Sequence, residues 1–139
     1  MIPQLRDYAS VRREVKYGLN SRFDFLLEDP GRPPCYLEVK NVHLMRKPRF
    51  AEFPDCVTDR GAKHMEELAA VIGTGARAVV LFVIQIPSAD RFAVAHDIDP
   101  AFAAAFNAAR GQGVQMLAWR CNVNLNGIEI AAPVPIVDE

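Results

Sequence analysis

No run of apolar residues in this chain reaches the roughly 18 residues that a membrane span needs. The longest, residues 78–84, has the length of a buried strand, and no membrane partner is expected. The N-terminus lacks the apolar core of a secretory signal. The three cysteines, Cys35, Cys56 and Cys121, are odd in number and show no CxxC spacing. That pattern excludes a disulfide framework and a cysteine zinc site, and it suits a reducing cytoplasm. His43, His64 and His96 lack zinc-type spacing as well. No glycine-rich loop follows a strand in P-loop or dinucleotide form, and there is no Gly-x-Ser-x-Gly elbow. Repeats and low-complexity stretches are absent. The formal net charge of −1 gives no overall excess of either sign.

What is present is an ordinary globular composition over 139 residues, half hydrophobic and 24 % charged, enough for one domain spanning 1–139. Charge is unevenly placed. Residues 1–64 carry 12 Lys/Arg against 9 Asp/Glu, and residues 65–139 carry 4 against 8. The more basic half also holds the residues with the clearest chemistry.

Three strand-like runs come first, at 11–17, 22–27 and 35–42. Gly18 to Ser21 reads as the first turn. The second, residues 28–34, contains Pro30, Gly31, Pro33 and Pro34. Residues 43–58, with Pro48 and Pro54, read as a long connection of the kind that is often functional. A helix is predicted over 59–72, capped by Thr58 or Asp59 and ended by Gly73 and Gly75. Residues 76–86 form a nearly continuous apolar strand of the parallel-sheet type. Asp99 caps a second, alanine-rich helix with Pro100 at its first position, over 100–110. A strand at 114–121 and an edge strand or lidding segment within 128–137 complete the order. The expected fold is α/β, with a mixed sheet built from an antiparallel β-meander and then a βαβ crossover.

Side chains alternate faces along a strand. Glu38 and Lys40 therefore share one face of the third run, away from Leu37 and Val39. Asp24 is predicted to lie opposite Phe23 and Phe25 in the second run. If the two runs pair with their apolar faces together, two carboxylates and one ammonium converge. The spacing matches a PD-(D/E)xK nuclease signature, with Phe23 where the motif has proline. In that reading Asp24, Glu38 and the carbonyl of residue 39 hold Mg²⁺ or Mn²⁺ through oxygen. Lys40 positions or deprotonates the attacking water and stabilises charge on the phosphate. The competing reading is a cross-strand ion pair on a solvated face, worth up to about 1 kcal/mol.

Arg60, Lys63 and His64 fall on one helix face, as phosphate contacts or as a solvated surface. Arg46, Lys47 and Arg49, with Phe50 and Phe53, are candidate backbone clamps and a base-stacking surface. A mobile loop with two phenylalanines tucked beneath it is the alternative.

The stretch 14–27, with Arg22-Phe23-Asp24, the stretch 36–42, with Glu38-Val39-Lys40, and the stretch 53–64, with Asp59-Arg60-Gly61-Ala62-Lys63-His64, resemble the bacterial sugar fermentation stimulation protein A family. Residues 78–85 and 97–100 continue the match in order. The resemblance implies a restriction-endonuclease-like (PD-(D/E)xK) core with Asp24, Glu38 and Lys40 as the catalytic set. It also implies non-specific DNA binding through backbone contacts, in the cytoplasm, linked to sugar-utilisation genes. Arg22 joins Arg46, Lys47, Arg49, Arg60, Lys63 and His64 as candidate DNA-binding residues. The alternative function is a non-enzymatic DNA-binding regulator of sugar (maltose) metabolism that keeps a relic nuclease site. The family's N-terminal OB-like domain is expected to lie outside this chain, and an apolar edge left exposed would favour a homodimer.

Overall fold

The three N-terminal runs form an antiparallel meander in the computed structural model, which describes residues 2–17 and 21–138. The strands are β1 (Ser10–Tyr17), β2 (Ser21–Asp29) and β3 (Arg32–Val42). Residues 18–20 of the predicted first turn lie outside the described residues. Pro30 and Gly31 make the tight reversal between Asp29 and Arg32, which pair across it.

The helix α1 (Asp59–Ile72) then carries the chain across to β6 (Arg77–Ile84), which pairs in parallel with β3 over its whole length. Thr58 caps α1 by accepting a hydrogen bond from Gly61 N at 3.2 Å. The second helix, α2 (Pro100–Gly111), precedes β8 (Gln115–Asn124), parallel to β6. The last strand, β9 (Gly127–Pro133), returns antiparallel on β8. The main sheet therefore runs β1-β2-β3-β6-β8-β9, a mixed α/β architecture with two helices.

Both faces of β6 are buried because the sheet has a core on each side. Ala78, Val80, Phe82 and Ile84 face α1 and α2. Val79 and Leu81 face a smaller cluster closed by Ile2, with Leu5 and Tyr8 beside it. The larger core is aromatic, with Phe53, Phe82, Phe92, Phe102 and Phe106 linked by ring-to-ring distances of 4.7 to 6.4 Å. Asp99 joins the two helix starts. Its Oδ1 accepts from Phe102 N at 3.0 Å and its Oδ2 from Thr58 N at 2.8 Å, in a site 2 % exposed. Among the described residues no helix is long and apolar enough to cross a membrane.

Two expectations need correction. Residues 43–58 are not one long connection. They contain β4 (Leu44–Lys47) and β5 (Phe50–Phe53), which join β7 (Arg91–Val94) in a second, three-stranded sheet. Four-residue strands are too short to show a periodicity, and β5 finds its parallel partner far along the chain. The second correction concerns Asp24. Phe23 packs in the larger core and Phe25 in the smaller one, so they do not share a face. The alternation breaks between them. There the pairs Arg13↔Phe25 and Val15↔Phe23 leave Glu14 opposite Asp24, and Glu14 has a left-handed φ of 51°.

Of the two roles expected for the tail, the edge strand is the one seen: β9 ends the main sheet. Beyond it, Val134 N bonds Ala118 O and Val137 N bonds Phe92 O, tying the two sheets together. The pairing of β8 with β6 ends at Arg120. Beyond it, β8 and β9 form a two-stranded ribbon. Its pairs Cys121↔Ile130 and Val123↔Ile128 lie on one face, and Asn122↔Glu129 lies on the other.

Candidate functional site

The site forms where β2 separates from β3. Their ladder runs inward from Leu27↔Cys35 to Phe25↔Leu37. Past that point the Val39 N–H is taken by a side chain, donating to Asp24 Oδ2 at 2.8 Å. The broken alternation at Asp24 is what turns its carboxylate toward β3. Glu38 and Lys40 lie on the β3 face covered by α1. The predicted convergence of Asp24, Glu38 and Lys40 is therefore present, reached through a local twist in β2 rather than through two flat apolar faces.

Glu38 is 4 % exposed, and its Oε2 is buried without a hydrogen-bond partner. An ionised carboxylate is costly in such a place. Burial, followed by the hydrogen bond and the negative charge of Asp24, raises its pKa to about 8 against the pull of Lys40 and Arg60. At neutral pH Glu38 therefore holds a proton beside Asp24. Burial pushes Lys40 below the usual lysine value, although Glu38 and Asp24 oppose the shift. His64 is lowered by burial and by the charge of Lys40.

His64 comes from α1. Gly61, Met65, Leu68 and Val71 are the buried stripe of that helix, and His64 sits at its edge, with a side chain 12 % exposed. Its Nδ1 lies 3.3 Å from Lys40 Nζ and 3.5 Å from Glu38 Oε2. Gly61 sets the height of the helix: a Cβ there would stand 2.8 Å from Thr58 Cγ2 and 2.9 Å from Phe102 Cδ2. The sequence placed His64 among phosphate contacts; in the structure it reaches Lys40 and Glu38 on β3. One turn further on, Glu67 follows the same spacing and shares the helix face of Arg60, Lys63 and His64. Sequence reasoning reads it as part of that face and assigns it no role, and its Oε1 is buried without a hydrogen-bond partner among the described residues.

The remaining candidates divide. Arg60 is exposed at the start of α1, and its charge acts on Glu38, Lys40 and His64 alike. Lys63 and Arg22 are exposed. Arg46 is engaged elsewhere. It binds Glu52 at 2.8 and 2.6 Å and Asp97 at 2.6 and 2.9 Å. Glu52 is 1 % exposed, so this ion cluster anchors the small sheet. Arg49 pairs with Asp90 at 2.9 Å. Lys47 is exposed, 5.9 Å from the centre of the Phe50 ring. The base-stacking expectation for Phe50 and Phe53 fails: Phe50 is buried, and Phe53 packs on Phe82 and Phe102 in the core.

Among the described residues no group of three or more His, Cys, Asp or Glu side chains is placed to hold a metal. The available side-chain oxygen donors are the carboxylates of Asp24 and Glu38. These suit a hard, oxygen-seeking cation that keeps part of its water shell, the usual habit of Mg²⁺. The orphaned Glu38 Oε2 beside a second carboxylate is the feature that a positive ion would complete.

Residues 1–127 match the family model described as the sugar fermentation stimulation protein RE domain. The chain is 54 % identical over 136 residues to a sugar fermentation stimulation protein homolog of Azorhizobium caulinodans, covering 98 % of this chain and 57 % of that protein. It is 57 % identical over 129 residues to the homolog of Rhodospirillum centenum, covering 93 % and 55 %. The SfsA protein of Pyrococcus furiosus, solved in complex with Ca²⁺, superposes with a TM-score of 0.88 at 28 % identity, over 98 % of this chain and 58 % of its own. The chain thus spans little more than half the length of these relatives. With the Asp24, Glu38 and Lys40 motifs lying inside the matched region, the chain belongs to the sugar fermentation stimulation protein family, matching its RE domain.

Proposed function

We propose that this chain, on a restriction-endonuclease-like core, holds a divalent cation between Asp24 and Glu38 and hydrolyses a phosphodiester of DNA. The observation that carries the reading is the Glu38 carboxylate, buried beside Asp24 with an oxygen that no group satisfies. A buried acid with an unsatisfied oxygen, beside a second and half-buried acid, is a costly arrangement that a cation would relieve. The Ca²⁺ in the Pyrococcus furiosus structure belongs to the same class of hard ions and supports the reading.

Hydrolysis adds water across a P–O bond, with its oxygen going to phosphorus and its proton to the leaving oxygen. A divalent cation supplies charge neutralisation on the phosphate and a more acidic water. Asp24 and Glu38 would hold it, with the Val39 carbonyl as a third oxygen. Lys40, whose buried amine gives up its proton more readily than an ordinary lysine, holds the water and offsets charge on the phosphate. Arg60 and Lys63, exposed on α1, contact the DNA backbone, with Arg22 and Lys47 as further cations. Such contacts are indifferent to sequence and sensitive to salt.

The test is cleavage of plasmid and linear DNA with Mg²⁺ or Mn²⁺ by the wild type, Glu38→Ala and Lys40→Ala. Loss of at least about 100-fold in both variants is expected; undiminished cutting in both refutes the proposal. A second reading is a non-enzymatic DNA binder, favoured by a donor set of only two carboxylates. It predicts salt-sensitive binding without turnover.

A further inference from the structure

Glu38 and Lys40 are two residues apart on one strand face, within reach of one another for a lysine on its flexible stem. Among the described residues Lys40 makes no ion pair within 4.0 Å. Its hydrogen-bond partner is His64 Nδ1, at 3.3 Å. With Lys40 as an ammonium, which has only donors, Nδ1 accepts in the tautomer that carries the ring proton on Nε2. The same Nδ1 lies 3.5 Å from Glu38 Oε2, so one imidazole nitrogen stands beside both the amine and the acid.

We propose that His64 is a positioning residue that holds Lys40 off the two carboxylates, leaving Asp24 and Glu38 open to the cation. The inference rests on the cation-binding reading above and deepens it. A lysine carries a compact charge on a flexible four-carbon stem, so without a fixed acceptor it is free to close on the nearest carboxylate. The imidazole is well suited to hold it. It is rigid, mostly buried, and fixed in height by the close packing of Gly61 against Phe102. In this arrangement Lys40 competes with the cation whenever His64 is absent.

The test is a double-mutant cycle read by calorimetric titration of Mn²⁺ and Ca²⁺ into the whole chain, with no turnover needed. His64→Ala is expected to weaken cation binding by about tenfold. Adding Lys40→Ala to it is expected to restore binding to within about threefold of wild type, because the competitor has gone. His64→Asn places an amide oxygen near the Nδ1 position and is expected to bind like wild type. A double variant that stays as weak as His64→Ala overturns the proposal and makes His64 a ligand or a packing residue. So does a His64→Ala variant with wild-type affinity. A cation-free measurement separates this proposal from the function it serves. The Lys40 side-chain NMR signals should move in His64→Ala and return in His64→Asn, and signals unmoved by His64→Ala would overturn the contact itself. Wild-type protein that binds Mn²⁺ but cuts no DNA would sink the nuclease reading and leave the cycle standing.

Discussion

Asp24→Asn should make the cation-free protein more stable while abolishing its response to divalent ions. The change is nearly isosteric, and the amide oxygen can still accept the Val39 N–H that Oδ2 takes at 2.8 Å. What it removes is the negative charge beside Glu38. The rise of Glu38 from 4.5 to about 8 corresponds to roughly 5 kcal/mol as an upper limit. Burial is the largest cause and Asp24 the next, so about 1–2 kcal/mol of it is assigned to Asp24. For a domain of this size that is a rise in Tm of about 3–8 °C.

The pH dependence fixes the sign. A carboxyl whose pKa is raised on folding contributes its stability fully below its unfolded value and loses it as pH rises through the folded one. Glu38 therefore destabilises the cation-free protein progressively between about pH 4.5 and 8. The gain from Asp24→Asn should be small at pH 5 and full above pH 8. Thermal unfolding at pH 5, 7 and 9, with and without 5–10 mM Mn²⁺ (roughly 100-fold or more above an assumed affinity), reads all of this at once. Wild type should gain a few degrees on adding Mn²⁺, increasingly so at high pH because binding displaces the Glu38 proton. An Asp24→Asn variant that is less stable than wild type at pH 9, or that still gains the wild-type increment from Mn²⁺, would refute the reasoning.

Three further outcomes follow from the packing. Gly61→Ala gains about 1 kcal/mol of helix propensity but drives a methyl into the buried Phe102 ring, so a net loss of about 1–2 kcal/mol by urea denaturation is expected. Asp99→Ala removes the cap of α2 and orphans the Thr58 N–H, which should cost about 2–4 kcal/mol and lower the cooperativity of thermal unfolding. Arg46→Ala should lower Tm through the buried Glu52 while leaving the salt dependence of DNA binding unchanged, whereas Lys63→Ala should do the reverse.

How far the sequence could be read depends on the range of the forces involved. The meander, the crossover and both helices were legible because alternation, caps and turn residues are local signals. The shared face of Glu38 and Lys40 was legible for the same reason, because the period of a strand assigns faces; Asp24 joins them only through a break in that period. The twist at Asp24 was not, since it depends on a left-handed Glu14 on the neighbouring strand. The small sheet was hidden because β5 buries every residue but Phe53 and pairs with a strand some forty residues away. Arg46 looked like a free cation because neither Asp97 nor the burial of Glu52 is visible from its neighbourhood in the chain. His64 was placed on the correct helix face, but its contact with Lys40 depends on how closely α1 approaches α2, a distance set by the absence of a side chain at Gly61.

The ribbon that β8 and β9 form beyond Arg120 gives the molecule an uneven energetic profile. β6 is hydrogen-bonded on both sides and buried on both faces, so its amides can exchange with solvent only when much of the domain opens. Among the described residues the ribbon has one ladder and no third strand, and Val123, Ile128 and Ile130 are 52 %, 57 % and 45 % exposed. Opening it breaks few contacts that the rest of the fold relies on. Hydrogen exchange along β8 should therefore fall into two kinetic classes that change over near residue 120. Amides before that point should follow global unfolding, and those after it should exchange by a local opening that denaturant barely accelerates.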